Sequence, residues 1–164
     1  RNAEAAFQAL KFWRYADEFE DISGHDAFRK KKELSCRGVD WTYSGFGSNW
    51  KAMLAVLRSK FQPGKPWTEA LIKTSDAFLL EHNSVTGRDV VWSDNKFGEG
   101  KNWLGLQLML VRDERAGTSA WTSFLGCSMD IETGDPHTEE TSNELQRAVR
   151  YASYAALAKV QEAE

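Results

Sequence analysis

Glu4-Ala-Ala-Phe-Gln-Ala-Leu-Lys-Phe12 opens the chain and decides how the rest of it is read. At about 3.6 residues per turn, Ala5, Ala9, Phe12, Ala16 and Phe19 line up as one apolar stripe of a helix. A second stripe beside it holds Glu4, Gln8, Lys11 and Tyr15, and Phe7 and Leu10 close its far side. A surface helix ordinarily has one apolar and one solvated face. Here a carboxylate, an amide and an amine lie between two apolar flanks, so this polar stripe is expected to be partly buried. Glu4 and Lys11 can form a simple ion pair, which the spacing alone favours. The alternative is an active-site wall, where partial burial favours the neutral form of a lysine.

The chain has 164 residues, enough for one domain with a substantial core. Hydrophobic residues make up 41% and charged residues 27%, an ordinary soluble globular composition. A net charge of −3 gives no global basic field for holding long nucleic acid, though a local basic groove remains open. Seven tryptophans are the unusual feature, and several stand in polar, loop-like contexts where an indole can stack on a ligand ring. Two cysteines, Cys36 and Cys127, without CxxC spacing or partner histidines, argue against a zinc site or a disulfide framework. No His-rich or clustered carboxylate ligand set is visible either, so no metal is expected, and no cofactor is expected. No run has membrane-span length and no signal-peptide pattern opens the chain, so an intracellular, cytoplasmic protein is expected, with the nucleus as the alternative. The start within a helix pattern, without methionine, suggests a trimmed beginning.

The first helix is expected from an Asn2 N-cap to about Glu20. A short solvated helix follows over residues 25–35, with Arg29, Lys30, Lys31 and Lys32 as a wet face. Cys36-Arg-Gly-Val-Asp-Trp41-Thr-Tyr-Ser-Gly-Phe-Gly-Ser48 reads as a loop with Trp41 and Tyr43 at the surface or over a pocket. Ser48 or Asn49 then caps a helix whose Trp50, Met53, Leu54, Leu57 and Phe61 form core, with Arg58 and Lys60 near its C-terminus. A third helix is expected from Thr68 to near Ser75, packing Ala70, Leu71 and Ile72. Residues 77–82 and 89–92 are strand candidates. A glycine-bearing loop over residues 93–102 leads into an apolar helix, Trp103 to Val111, with Asn102 at its N-cap. Such a loop can offer N–H groups to a phosphate, but its spacing matches neither GxGxxG nor a Walker loop, and an ordinary loop is the better reading. Residues 113–138 give little pattern. Thr141-Ser-Asn-Glu144 resembles a capping box opening a last helix over about 141–162, packed through Leu145, Val149, Ala152, Ala156 and Val160. The expected architecture is mainly α (α+β): a single compact helical domain over residues 1–164 with a few short strands.

Taken in order, these segments resemble the NADAR family (NAD- and ADP-ribose-associated, YbiA-like). Glu4 with Phe7-Gln-Ala-Leu-Lys-Phe12 resembles its E-H-x-x-Q-A-x-K-F signature. Asp40-Trp41 looks like its tryptophan motif, and Met53-Leu-Ala-Val-Leu-Arg-Ser-Lys-Phe61 its M-x-x-x-L-R-x-K-F helix. Leu80-Glu-His82 with Asp89-Val-Val-Trp92 is similar to its V-E … D-x-x-W segment. Gly100-Lys-Asn-Trp-Leu-Gly105 with Leu108, Met109 and Arg112 resembles its G-x-N-x-L-G-x-x-L-M-x-x-R block. The blocks cover about residues 4–115. Ala5 stands where the family has histidine, Ser93 where it usually has glycine, and the family's S-N-F region before the glutamate has no counterpart. Trp41 is matched in preference to Trp50, because Trp50 completes an apolar helix stripe. Residues after Ala116 match no family block.

The resemblance implies an NADAR/YbiA-like fold and an N-glycosidase acting on ribose-linked nitrogen. The substrate implied is ADP-ribose on guanine in nucleic acid. The alternatives are a phosphoribosyl intermediate of riboflavin synthesis, or a non-catalytic ADP-ribose-binding module. By position, Glu4, Trp41, Asp89 and Trp92 match expected active-site residues. Breaking a bond from ribose C1 to a base nitrogen needs a proton source and stabilisation of charge developing on the sugar. Glu4 and Asp89 are the candidate carboxylates, expected to share a pocket. Lys11 is either a charged partner for Glu4 or a phosphate, or a neutral amine that captures the sugar as a Schiff base. Gln8 is a candidate substrate contact; Trp41 and Trp92 would stack on a base, and Arg58, Lys60 and Asn102 would hold the diphosphate.

Overall fold

The structure, a computed structural model, describes residues 2–161 and divides the chain into two compact units, one ending at Gln62 and the other starting at Pro63. Both are helical. Among the described residues the strand pairing amounts to an isolated bridge between Met129 and Pro136.

The first unit is built around α1 (Ala3–Lys11). Asn2 caps it as expected: its Oδ1 accepts from the Ala5 N–H at 2.8 Å, while its Nδ2 donates to the Ile22 carbonyl, tying the start of α1 to the chain just before the next α-helix. The helix does not continue to Glu20. Phe12 leaves helical geometry at φ −138° and ψ 46°, and residues Trp13–Phe19 form a 3₁₀ segment. The break lets the Phe12 ring stack on Phe19, with centroids 6.3 Å apart. The apolar stripe is nevertheless core: Ala5, Ala9, Phe12 and Phe19 are buried with Ala27 and Leu34 of α2 (Gly24–Leu34), and Ala16 packs against them. The remainder of α2 is the solvated, basic helix expected, capped by Ser23. In α3 (Asn49–Lys60), Ser48 is the N-cap, and Trp50, Met53, Leu54 and Leu57 are buried together with Phe61 beyond its end.

The second unit contains α4 (Pro66–Ile72), α5 (Trp103–Ala116), α6 (Ala120–Ser128) and α7 (Glu139–Gln161). Pro66 starts α4 before Thr68, since its missing N–H is not needed at a first helical turn. Thr68 and Leu71 are its buried residues, and Ala70 faces out. The strand candidates 77–82 and 89–92 are extended or bent chain without a ladder. Their backbone groups find other partners. The Leu79 carbonyl accepts from Asn102 Nδ2 at 2.9 Å, and the Glu81 N–H donates to Asn102 Oδ1 at 2.9 Å. Carbonyls of Val90, Val91, Trp92 and Ser93 accept from the N–H groups of Lys101, Trp103, Leu104 and Asn102. The N-terminus of α5 is thereby satisfied by chain rather than left open for an anion. Asn102 sits at the N-cap position in left-handed geometry, φ 51°, but its side chain caps nothing and instead clamps residues 79–81. Gly105 makes that possible: a Cβ there would lie 2.1 Å from the Leu79 carbonyl oxygen.

Helix α5 outruns its apolar pattern because Arg112 and Asp113 are buried with partners. Arg112 Nη1 and Nη2 donate to Thr74 Oγ1 and the Ala77 carbonyl, and Asp113 accepts from Thr118 Oγ1 and the Thr122 N–H. Helix α6 falls in the stretch that gave little pattern. The capping box of α7 lies three residues earlier than expected: the Thr141 N–H donates to Thr138 Oγ1 at 3.1 Å and the Thr138 N–H to Thr141 Oγ1 at 3.0 Å. Val149 is buried, whereas Leu145, Ala152 and Ala156 are half-buried. Residue 162 and the side chain of Val160 lie outside the described part.

Replacing Asn102 with alanine removes two hydrogen bonds, leaves their backbone partners unmet and puts at φ 51° a residue that tolerates left-handed geometry less well than asparagine. Urea denaturation of Asn102→Ala is expected to show a loss of roughly 2–4 kcal/mol; a loss below roughly 0.5 kcal/mol would contradict the clamp.

Candidate active site

The polar stripe of α1 is buried, as its flanks predicted. Gln8 is 4% and Lys11 7% exposed, and Glu4 is half-buried. Glu4 and Lys11 are two turns apart, and among the described residues they form no ion pair. Glu4 Oε1 instead accepts from Gln8 Nε2 at 2.7 Å, and the Lys11 ammonium lies 4.4 Å from the centre of the Phe7 ring and 5.6 Å from that of Tyr43. Gln8 Oε1 is buried without a hydrogen-bond donor among the described residues. Buried acceptors are rarely left unmet, so this oxygen is available to a bound hydroxyl.

The wall against Lys11 comes from the loop after α2. Asp40 organises it: Oδ1 accepts from Thr42 N–H and Oγ1, and Oδ2 from the Ser44 N–H. Those bonds, the Thr42 hydroxyl first, hold Asp40 below the ordinary carboxylate range. The loop is fastened to the end of α1, because the Asp40 N–H donates to the Lys11 carbonyl and Ser44 Oγ to the Leu10 carbonyl. Tyr43, at φ 54°, thereby stacks on Phe7 with centroids 5.6 Å apart, and its burial pushes its phenol up. Tyr43 is therefore buried, while Trp41 is 68% exposed and open to a stacking partner.

Burial lowers the Lys11 pKa to about 8; the charge of Lys31 adds to the lowering and that of Glu4 opposes it. Phe7 and Tyr43 offer π faces, which attract an ammonium only modestly, and no counter-ion that would restore its ordinary value. Arg58 and Lys60 are half-buried in the last turn of α3, where the helix dipole favours cations.

In the second unit, Asp89 Oδ1 accepts from the N–H groups of Val91 and Trp92 at 3.0 and 2.9 Å, so that the carboxylate shapes the turn presenting Trp92. Trp92 is half-buried and meets Trp103 edge-on at 5.9 Å. A cavity of about 110 Å³ beside Trp103, lined also by Lys101, Leu106 and Gln146, has room for a few waters, not a nucleobase. Asn102 is fully buried with both ends of its amide engaged, so it positions residues 79–81 and does not face a diphosphate. Glu81 is a group that sequence reasoning passed over, although its V-E block was a signal. Desolvation, then the charges of Asp89 and Asp94, raise its pKa above the ordinary carboxylate value. Among the described residues no cluster of three or more His, Cys, Asp or Glu could hold a metal ion, and no helix is long and apolar enough to cross a membrane.

Because Lys11 titrates lower in the folded chain than in the unfolded one, burying its ammonium costs stability at pH values below about 8. That cost fades as pH rises from about 8 towards the ordinary lysine value of about 10.4. Relative to Lys11→Met, the wild-type urea midpoint is expected to climb between about pH 8 and about pH 10. Parallel curves for the two chains would contradict this.

The chain is 32% identical over 122 residues to N-glycosidase YbiA of Escherichia coli (strain K12), covering 70% of this chain and 69% of that protein. It is 37% identical over 121 residues to N-glycosidase YbiA of Shigella boydii serotype 4 (strain Sb227), with the same coverage. Similarity to a riboflavin biosynthesis protein of Vibrio vulnificus (strain YJ016) is 31% over 117 residues, 69% of this chain but 30% of that protein's length. No family model and no solved structure matches the chain. The identity to YbiA over more than two thirds of both chains accords with the motif blocks, and this chain belongs to the YbiA-like NADAR family.

Proposed function

We propose that this chain is an N-glycosidase that removes ADP-ribose from guanine bases in nucleic acid, with Lys11 as the nucleophile. The class, hydrolysis of an N-glycosidic bond, is supported by the YbiA relatives. The observation that carries the finer reading is the buried lysine. With a pKa of about 8, roughly one Lys11 amine in ten is neutral at about pH 7, against fewer than one in a thousand for an ordinary lysine.

In this reading the neutral Nζ attacks ribose C1, and the bond to the guanine nitrogen breaks with its electron pair going to the base. A general acid protonates the departing base; within the second unit the candidates for acid–base chemistry are Glu81, whose pKa burial raises, and Asp89. The glycosyl–lysine adduct opens to a protonated Schiff base. Water, deprotonated by Glu4, adds to that carbon, and the lysine leaves as free amine with release of ADP-ribose. Gln8 Oε1 accepts a ribose hydroxyl. Trp41 stacks on a base, worth roughly 1–3 kcal/mol. Arg58 and Lys60 are proposed phosphate contacts.

A second reading has a specific observation in its favour. The Vibrio vulnificus relative is named a riboflavin biosynthesis protein, which suits a phosphoribosyl intermediate of that synthesis as the alternative substrate, and the net charge of −3 suits a small metabolite. A pure ADP-ribose-binding module would gain nothing from a lysine depressed by burial.

An intact-mass experiment with borohydride separates these readings. The chain and Lys11→Met are each incubated with an ADP-ribosylated-guanine oligonucleotide and, in parallel, with a phosphoribosylated aminopyrimidine. Release of ADP-ribose from the oligonucleotide is expected, with a reduced adduct on the wild type only and turnover lowered about a thousand-fold in Lys11→Met. Release without an adduct would remove the Schiff base and leave acid–base hydrolysis. Turnover of the aminopyrimidine alone would favour the second reading, and binding without release the binding module.

A further inference from the structure

Residues after Ala116 match no family block, yet α7 reaches onto the segment that carries Glu81, His82, Asp89 and Trp92. Three successive turns of the helix do so. Gln146 Nε2 donates to the carbonyl of Gly98 and, at 2.9 Å, to that of Gly100. Gly98, at φ 84°, lies against the backbone of Arg150; a Cβ there would stand 2.3 Å from the Arg150 Cα. Ser153 Oγ then reaches Asp94 Oδ2 at 2.8 Å, with both residues fully buried. The Val149 carbonyl is also within reach of that hydroxyl at 3.0 Å, but a carboxylate is the stronger acceptor.

Asp94 is the hub of this segment. Its Oδ2 also lies 2.8 Å from His82 Nδ1, and its Oδ1 accepts from the Asn83 and Lys96 N–H groups at 2.9 and 3.0 Å. Its own N–H donates to the Glu81 carbonyl at 2.9 Å, and its carbonyl accepts from the Gly98 and Gly100 N–H groups. Burial opposes ionisation of Asp94, but the donors together outweigh it and hold the carboxyl below its ordinary range. Both backbone neighbours of His82 are therefore fixed by one residue, the Asn83 N–H by the Asp94 carboxylate and the Glu81 carbonyl by the Asp94 N–H, and that carboxylate is also held by Ser153 of α7.

We propose that α7 is the positioning element of this segment: Ser153, acting through Asp94, fixes the backbone that presents Glu81 and His82. Ser153 and Asp94 are then positioning residues. The consequence for turnover rests on the N-glycosidase reading, whereas the consequence for local order does not.

Amide hydrogen exchange followed by NMR tests the proposal in the full chain. In Ser153→Ala, exchange at Asn83, Asp94 and Lys96 is expected to speed up about ten-fold while amides in the middle of α5 keep their rates. Ser153→Thr, which retains a hydroxyl, restores slow exchange. Gln146→Ala, at a half-buried position, is expected to speed exchange at Gly98 and Gly100. With the ADP-ribosylated oligonucleotide, kcat should fall about ten-fold in Ser153→Ala with KM unchanged. Unchanged exchange in both variants, equal acceleration throughout α5, or faster exchange with unaltered kcat would each overturn the proposal. Local acceleration in a chain whose wild type turns over no ribosyl substrate would uphold the positioning and count against the N-glycosidase reading alone.

Discussion

The first unit depends on a lysine being held where its charge is poorly solvated. Lys11 ends α1, with Phe7 one turn before it on the same helix and Tyr43 brought over by a loop that Asp40 knots into shape. Burial in this arrangement is the largest cause of the depressed ammonium. The Asp40 N–H is bonded to the Lys11 carbonyl itself, and Ser44 to the residue before it, so the aromatic wall cannot drift from the helix end without breaking backbone contacts. Glu4, the nearest acid on the stripe, is engaged by Gln8 and acts on Lys11 only at a distance. Had it paired directly with Lys11, the charged form would have been favoured and the amine lost as a nucleophile.

The second unit solves a different problem, which is how to hold irregular chain without a sheet. Residues 77–80 and 90–92 carry the apolar side chains that are the ingredients of strands. Their hydrogen-bonding capacity is instead spent on the Asn102 amide and on the first turn of α5. The arrangement satisfies the helix N-terminus and fixes the Asp89–Trp92 turn together. It also explains why this glycine-bearing loop, unlike a phosphate cradle, has no free N–H groups at residues 101–104 to offer.

Local features were legible from residue order. The Asn2 cap, the burial of Gln8 and Lys11 between apolar flanks, and the core face of α3 all follow from i, i+3 and i, i+4 spacing. What escaped depended on partners distant in the chain. Phe12 breaks α1 because its ring turns to meet Phe19, and no propensity records that. Residues 79–81 look like a strand until Asn102, more than twenty positions later, takes their N–H and C=O groups. Glu81 carries a plain sequence signal in its family block, but its raised pKa comes from the nearness of Asp89 and Asp94, which only the fold creates. The C-terminal helix was visible as a helix; that Ser153 on it would meet Asp94 was not.

The most direct test is an NMR titration of lysine Cε methylene signals, with Lys11 assigned by its loss in Lys11→Met. A midpoint of about 8 is predicted, moving lower in Glu4→Gln, which removes the charge that opposes the depression, and higher in Lys31→Gln, which removes a charge that adds to it. A Lys11 midpoint near the ordinary lysine value of about 10.4, unmoved by either substitution, would contradict the buried, partly neutral amine on which the proposed chemistry rests.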